Sequence, residues 1–357
     1  MFQAVLLECF YKIETERSKS SIFHLLRGKR SSQTIQDAKA FHLSQYFGIY
    51  KSLTRNAFDE EIKQMLTLHI LTTGDNDSIL VTPEGIQLLK DYQKRMPELG
   101  WLNGFNLQHS ASDFWQRLLL FIQTGSNMLN NRSHFIPVLD HAEIMKWVKR
   151  YYQNHKEELT SLFQDIYHEV YQLLKEHQQF HAEVIVARMT GYQKIGLSKQ
   201  QISPKYELSI HDVEIYLKAS MHFMVDTVNK NQERFPRLHE FIPEELNQLP
   251  LTTSAKKTYY WFKSGYTPEQ IAQKRGLKRN TIYDHLIEIA IVDPSFAIHS
   301  FVKEDEEIII LNTVQRLNTQ RLKAIKDELP SEIDYFQIRL VLAKHNQMRS
   351  KVNEYVK

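Results

Sequence analysis

Apolar residues recur at helical spacing along most of the chain, and glycine and proline are scarce, with 11 and 10 copies among 357 residues. Alternation typical of a strand is confined to two short runs, "HILTT" and "SILVT", separated by "GDNDS". The pattern predicts a mainly α protein in three segments: an N-terminal winged helix with a small β-hairpin over residues 1–97, a central helical region with a linker over 98–250, and a C-terminal helix-turn-helix domain with extra helices over 251–357.

The first segment has the element order of a winged helix. Periodicity predicts helices near 19–27 and 32–40, and a third helix after Thr54, whose hydroxyl is suited to an N-cap. The two short runs then form a hairpin, and Pro83 begins another helix, where its missing N–H costs nothing. Three helices followed by a two-stranded hairpin predict the winged helix.

Two stretches outside this segment are predicted to be irregular. The central region is helical and aromatic-rich, with Ser209 as a predicted helix cap, but residues 234–250 are interrupted by prolines and predict a linker. The run "EDEEIIIL", residues 304–311, predicts a charged, solvated turn before an apolar segment.

The third segment carries a helix-turn-helix pattern. Thr267 and Gln270 have the spacing of a capping box around Pro268, and Gly276 is placed to end that helix. The next helix is predicted over residues 278–290, with an apolar face formed by Ile282, Leu286 and Ile289. Two short helices joined by a turn that contains glycine predict this motif, and the tail adds two or more helices.

The charge of +3 is unevenly distributed along the chain. Residues 12–56 contain nine basic and three acidic side chains, and residues 252–283 contain seven basic and one acidic. The remainder of the chain is acidic. Two separate basic segments predict contacts with a polyanion better than the whole-chain charge does.

The stretch "SIFHLLRGKRSS", residues 21–32, suggests either a phosphate-binding loop for a nucleotide or a surface that faces DNA. A P-loop needs a glycine where this chain has Phe23, and a hydroxyl residue where it has Arg30. Spacing therefore excludes the nucleotide site. Basic groups and serines at one junction between a loop and a helix favour a contact with the DNA backbone, and a solvated basic turn is the alternative.

In the helix-turn-helix, the second helix is expected to enter a major groove with its N-terminal residues toward the bases. Lysine and arginine suit phosphates or guanine, and asparagine suits adenine. The residues predicted to contact DNA in this segment are Lys274, Arg275, Lys278, Arg279, Asn280, Thr281 and Tyr283, with Asp284 on the same face.

No catalytic, cofactor or metal site is predicted. His177 and His181 stand four residues apart, but Gln178 occupies the position where a zinc protease has glutamate. The single cysteine, Cys9, excludes an intramolecular disulfide, and no apolar run is long enough to span a membrane. We expect a cytoplasmic, nucleoid-associated protein that is not an enzyme.

The motifs "IFHLLRGKRS", "HLSQYFGIYKSLT", "FDEEIKQML" and "ILVTPEGIQLL" resemble the winged helix that follows the motor of RecQ-type helicases. The third segment resembles a helicase-associated helix-turn-helix domain that ends in "IDYFQIRLVLA". Together they resemble the YpbB-like helicase-associated family of Bacillota, whose members are encoded beside a RecQ-like helicase. This resemblance implies that four residues face the duplex: Arg27, Lys29, Arg30 and Ser32.

The resemblance implies a non-catalytic DNA-binding protein that acts with a RecQ-like helicase, supplied in trans, in DNA repair, recombination or fork processing. The tip of the predicted hairpin in this chain is short and acidic and has no aromatic wedge, which argues against strand separation by this wing. The acidic middle is expected to hold the two basic modules apart or to dock the helicase. A transcription regulator and a pure interaction scaffold are the alternatives.

Overall fold

The structure is a computed structural model that describes residues 1–75, 78–107, 109–176, 179–247 and 249–354. It is mainly helical, as predicted. The helices from the N-terminus to residue 129 are α1 (Phe2–Ile13), α2 (Lys19–Leu26), α3 (Ser32–Ala40), α4 (Arg55–Thr67), α5 (Pro83–Arg95), α6 (Gly104–Leu107) and α7 (Ser110–Leu129). Two strands, β1 (Leu71–Thr73) and β2 (Ile79–Val81), lie between α4 and α5 in the sequence.

The chain continues as a series of helices separated by short connections. They are α8 (Ala142–His155), α9 (Leu159–Lys175), α10 (Gln179–Ala187), α11 (Lys199–Lys205), α12 (Ile210–Lys230), α13 (Pro236–His239), α14 (Thr253–Lys263), α15 (Pro268–Arg275), α16 (Arg279–Val292), α17 (Glu304–Leu317), α18 (Leu322–Asp327) and α19 (Tyr335–Glu354).

The chain divides into two compact units. The first unit contains residues Met1–Val5 and Lys90–Gln248, and the second contains Leu6–Leu89 and Leu249–Lys357. The second unit thus combines most of the predicted first segment with the predicted third segment. Each unit has its own buried apolar core.

In the second unit, the order α2, α3, α4, hairpin agrees with the predicted winged helix. The Thr54 hydroxyl accepts a hydrogen bond from the Ala57 amide and caps α4, as predicted. β1 and β2 pair antiparallel, with Leu71 opposite Val81. A Cβ at Gly85 would lie 2.2 Å from the Ile70 carbonyl oxygen, so the start of α5 packs closely against the chain that enters the hairpin.

The helix-turn-helix also forms as predicted. The Thr267 and Gln270 side chains make the reciprocal capping box at the start of α15, and Pro268 takes the first helical position. Gly276 ends α15 in the left-handed conformation, with φ of 62°. The predicted apolar face of α16 is fully buried.

The two basic segments pack directly on each other. Helix α3 of the first segment contacts both α16 and α19 of the third segment. The Arg339 guanidinium on α19 donates hydrogen bonds to the Gln36 amide oxygen and to the Ser32 hydroxyl on α3. The expectation that the acidic middle holds the two modules apart is therefore wrong.

The first unit is built on α7, α8, α9 and α12, and its core includes an aromatic cluster. The rings of Phe121, Tyr151 and Phe241 meet at centroid distances of 5.1–5.5 Å. Phe235, Leu238 and Phe241 are fully buried in this core, and Ile242 and Leu246 pack against it. The prediction of a linker in residues 234–250 is therefore wrong over this stretch. Its prolines lie in a short helix and in turns whose apolar side chains pack into the core.

The acidic run at residues 304–311 is also not a turn. It forms the first two turns of α17, where the acidic side chains of Glu304, Asp305, Glu306 and Glu307 stand at the helix N-terminus. Negative charge there is favourable because it opposes the positive end of the helix dipole.

The predicted Ser209 cap of α12 is confirmed, because the Ser209 hydroxyl accepts a hydrogen bond from the Asp212 amide.

Candidate nucleic-acid interface

The first turn of α16 presents basic and amide side chains to solvent. Lys278 is the N-cap residue, and Lys278, Arg279 and Asn280 are all exposed. Arg279 lies 2.8 Å from the Glu269 carboxylate, but both side chains are more than half exposed, so solvent screens this pair. The positive end of the helix dipole adds to the attraction for an anion at this turn.

Several side chains further along α16 are bound within their own unit. The Tyr283 ring stacks on Phe336 at a centroid distance of 3.9 Å, and Asp284 forms a 2.8 Å ion pair with Arg339. Ile287 is fully buried, and Glu288 is 5 % exposed. Beyond its N-terminal turn, the face that a recognition helix would insert into a major groove is therefore only partly accessible, with the Asp284 side chain 46% exposed.

On α15, two neighbouring basic residues have different surroundings. Lys274 is exposed, with its ammonium 5.1 Å from the Trp261 ring centroid and 4.6 Å from that of Tyr266. Arg275 instead binds inward, to the Ser254 carbonyl and hydroxyl and to the Thr258 hydroxyl. Burial lowers the pKa of Arg275. Its role in this structure is to join α14 to α15.

The loop between α2 and α3 also contains both exposed and inward-facing basic residues. Arg27 and Lys29 are exposed, although the Arg27 guanidinium bonds to the Lys51 carbonyl at 3.2 Å. Arg30 donates a 2.8 Å hydrogen bond to the Pro250 carbonyl and lies 3.8 Å from the Glu288 carboxylate. Gly28, with φ of 69°, makes the turn between the two exposed residues Arg27 and Lys29.

Burial and charge compete at the contact between Arg30 and Glu288. Burial lowers the pKa of Arg30, and the nearby Glu288 carboxylate opposes that change. Burial raises the pKa of Glu288, while hydrogen bonds from the amide and hydroxyl of Thr252, and then Arg30, act in the other direction. The arginine therefore compensates a carboxylate that lies almost entirely inside the fold.

The structure thus separates the residues predicted to contact DNA into two groups. The exposed ones are Arg27, Lys29, Lys274, Lys278, Arg279 and Asn280. The remaining ones are partly buried and, except for Thr281, make contacts within the unit: Arg30, Ser32, Arg275, Thr281 and Tyr283. Sequence reasoning missed Phe336 and Arg339, which cover α16, because no local pattern links them to a helix about 50 residues away.

No group of three or more histidine, cysteine, aspartate or glutamate side chains could hold a metal ion in the part of the chain that the structure describes. His177 lies outside the described residues, and so does the side chain of His181. Among the described helices, none is both long and apolar enough to cross a membrane.

Comparison with known proteins agrees with this geometry. Residues 254–342 match a family described as a helix-turn-helix domain, so the chain contains a domain of a type that indicates DNA binding. The match extends from α14 into α19 and so includes the helix that covers α16.

The whole chain also has a relative among curated proteins. It is 30% identical to Protein YpbB of Bacillus subtilis (strain 168) over 347 residues, which cover 97% of this chain and 98% of the relative. The chain belongs to the YpbB family. No solved structure matches it.

Proposed function

We propose that this protein is a non-catalytic DNA-binding accessory protein that acts with a RecQ-like helicase in DNA repair, recombination or fork processing. The observation that carries the DNA-binding part is the exposed turn Lys278–Asn280 at the positive end of α16. The exposed Arg27 and Lys29 supply a second basic group on the same unit. Side chains of this kind at a helix N-terminus bind phosphate oxygens.

The internal contacts made by side chains on α16 favour binding without strong sequence preference. Reading several base pairs requires side chains beyond the first turn of a recognition helix. Here Tyr283 stacks on Phe336, and Asp284 forms an ion pair with Arg339. Glu288 accepts a hydrogen bond from the Thr252 amide. Phosphate contacts carry affinity but little sequence information. We therefore favour the accessory role over that of a transcription regulator.

The helicase part of the proposal rests on the resemblance of two segments to helicase-associated modules. The chain has no P-loop motif of its own, so a motor would come from a second protein. Each strand of the hairpin has three residues, and part of its acidic tip, Asn76 and Asp77, lies outside the described residues. With so short a wing, strand separation is assigned to the helicase.

The test is fork unwinding by a RecQ-like helicase of the same organism, measured with and without this protein. We expect the wild type to raise the unwinding rate and Lys278→Ala/Arg279→Ala to lose most of that increase. Lys63→Ala/Lys323→Ala, which removes two exposed lysines outside the basic segments, is the matched control. If the wild type neither binds the helicase nor changes its rate, the helicase role is wrong.

A further inference from the structure

Four consecutive aromatic residues, Tyr259 to Phe262, lie on α14, and the helix divides them between core and surface. Tyr259 is buried, with its hydroxyl bonded to Asp293, and Phe262 packs on Phe296 at a centroid distance of 5.4 Å. Tyr260, in contrast, is 68% exposed. The core therefore accounts for two of the rings and leaves Tyr260 outside it.

The exposed ring has an ordered neighbour. Trp261 is half-buried and meets Tyr260 edge to face, with centroids 5.5 Å apart. Tyr266 supports Trp261 from the other side at 5.1 Å, and the Lys274 ammonium lies over both of these rings. Trp261 therefore has ordered neighbours on both sides, and together with Tyr260 it presents an aromatic surface.

Positive charge flanks this aromatic surface. Lys256 lies four residues before Tyr260, Lys257 three residues before it, and Lys263 three residues after it. On a helix, this spacing places all three lysines around Tyr260. All three are exposed, and α14 contains no acidic residue. An exposed ring surrounded by lysines is the combination that binds single-stranded nucleic acid, because bases stack on the ring while phosphates contact the lysines.

We propose that Tyr260, supported by Trp261, is a stacking site for an unpaired base of single-stranded DNA, with the phosphates on either side held by Lys256, Lys257 and Lys263. This inference rests on the proposed DNA-binding function and deepens it. It makes the preferred substrate a duplex with a single-stranded arm, because the same helix-turn-helix carries the duplex-binding turn of α16.

The test compares three probes by fluorescence anisotropy: a blunt duplex, the same duplex with a 20-nucleotide thymidine arm, and the thymidine oligonucleotide alone. We expect Tyr260→Ala to weaken binding of the two probes that contain the single strand about tenfold and to leave the blunt duplex unchanged. Tyr260→Phe keeps the aromatic ring and is expected to retain wild-type affinity. The matched control is Tyr335→Ala, which removes an exposed tyrosine that follows an acidic residue.

The outcomes separate this inference from the proposed function. If Tyr260→Ala binds all three probes as the wild type does, or weakens all three equally, the stacking site is wrong, and Tyr260 is then a candidate for contact with a protein. If the wild type binds the thymidine oligonucleotide but not the duplex, and Tyr260→Ala weakens that binding, the duplex-binding turn fails and the stacking site stands. Thermal unfolding of each variant confirms that the exposed substitution leaves the fold intact.

Discussion

Lys29 and Arg30 are adjacent in the chain, but the fold gives them different roles. Lys29 is exposed, whereas the Arg30 guanidinium bonds to the Pro250 carbonyl and faces the buried Glu288 carboxylate. Removing one member of such a pair leaves a buried charge without its partner, which costs more than the pair itself contributes. Arg30 is therefore a stabilising residue of the second unit, and Lys29 is available to bind an anion.

We expect Arg30→Ala to lower the free energy of unfolding by about 2 kcal/mol, because Glu288 would lose its cation. Lys29→Ala should change it by less than about 0.5 kcal/mol, as exposed substitutions usually do. Urea unfolding of both variants measures this difference. Equal stability of Arg30→Ala and the wild type would contradict the structural role.

His222 on α12 gives the first unit a dependence on pH. Burial, and then the nearby Lys218, lower the pKa of His222 from 6.5 to about 3, and its Nδ1 accepts a hydrogen bond from the Asn103 amide at 3.0 Å. The folded state therefore keeps this ring neutral. Because the unfolded chain takes up the proton below pH 6.5, stability is complete above that pH and falls as the pH decreases toward 3.

Between pH 7.5 and 5.5, we expect the wild type to lose about 1.4 kcal/mol more stability than His222→Gln, whose amide cannot be protonated in this range. Urea unfolding at the two pH values measures the difference. The comparison is between the pH dependences of the two proteins, so a uniform loss of stability in the variant does not affect it. Identical pH dependences would show that His222 is not buried in its neutral form.

At the scale of elements, the features that the sequence predicts are those with local causes. The Thr54 cap, the capping box of α15, the turn at Gly276 and the hairpin each depend on a few neighbouring residues, and each is present. Residues 304–311 are an exception, because the acidic side chains suggested a turn although they favour a helix N-terminus. Local pattern predicts where a helix begins more reliably than what it packs against.

The surroundings of α16 show this limit. Its apolar face was predictable from spacing, but the stacking of Tyr283 on Phe336 and the ion pair of Asp284 with Arg339 depend on α19, which lies far along the chain. As a result, Tyr283 and Asp284 looked like an exposed reading face in the sequence. On α16, the candidate site was predictable only at the first turn, where exposure follows from the helix end itself.

We expect Phe336→Ala to destabilise the second unit by about 3 kcal/mol, because it removes a buried ring that packs on Tyr283 and Phe301. Phe336→Leu should recover more than half of that loss. Both variants should bind a blunt duplex as the wild type does, since the first turn of α16 is unchanged. Tighter, sequence-selective binding by Phe336→Ala would instead mean that α19 blocks base reading by α16.

At the scale of the whole molecule, the second unit is formed by two segments, Leu6–Leu89 and Leu249–Lys357, which flank the main segment of the first unit in the sequence. Composition and charge predicted two basic segments correctly, but their pairing depends on contacts of α3 with α16 and α19 across some 250 to 300 residues of chain. Periodicity carries no information about such contacts. This pairing places the exposed residues of the loop and of the helix-turn-helix on one folded unit.

The measurement that tests this account most directly is the salt dependence of binding to random-sequence duplex DNA, followed by fluorescence anisotropy. The wild type is compared with Arg27→Ala/Lys29→Ala, with Lys278→Ala/Arg279→Ala, and with the control Lys63→Ala/Lys323→Ala. Each lost phosphate contact lowers the slope of log affinity against log salt by about 0.9, so we expect each basic double variant to lower it by about 1 to 2 and the control to leave it unchanged. A slope that none of the variants changes, or no binding by the wild type at low salt, would contradict DNA binding by this surface.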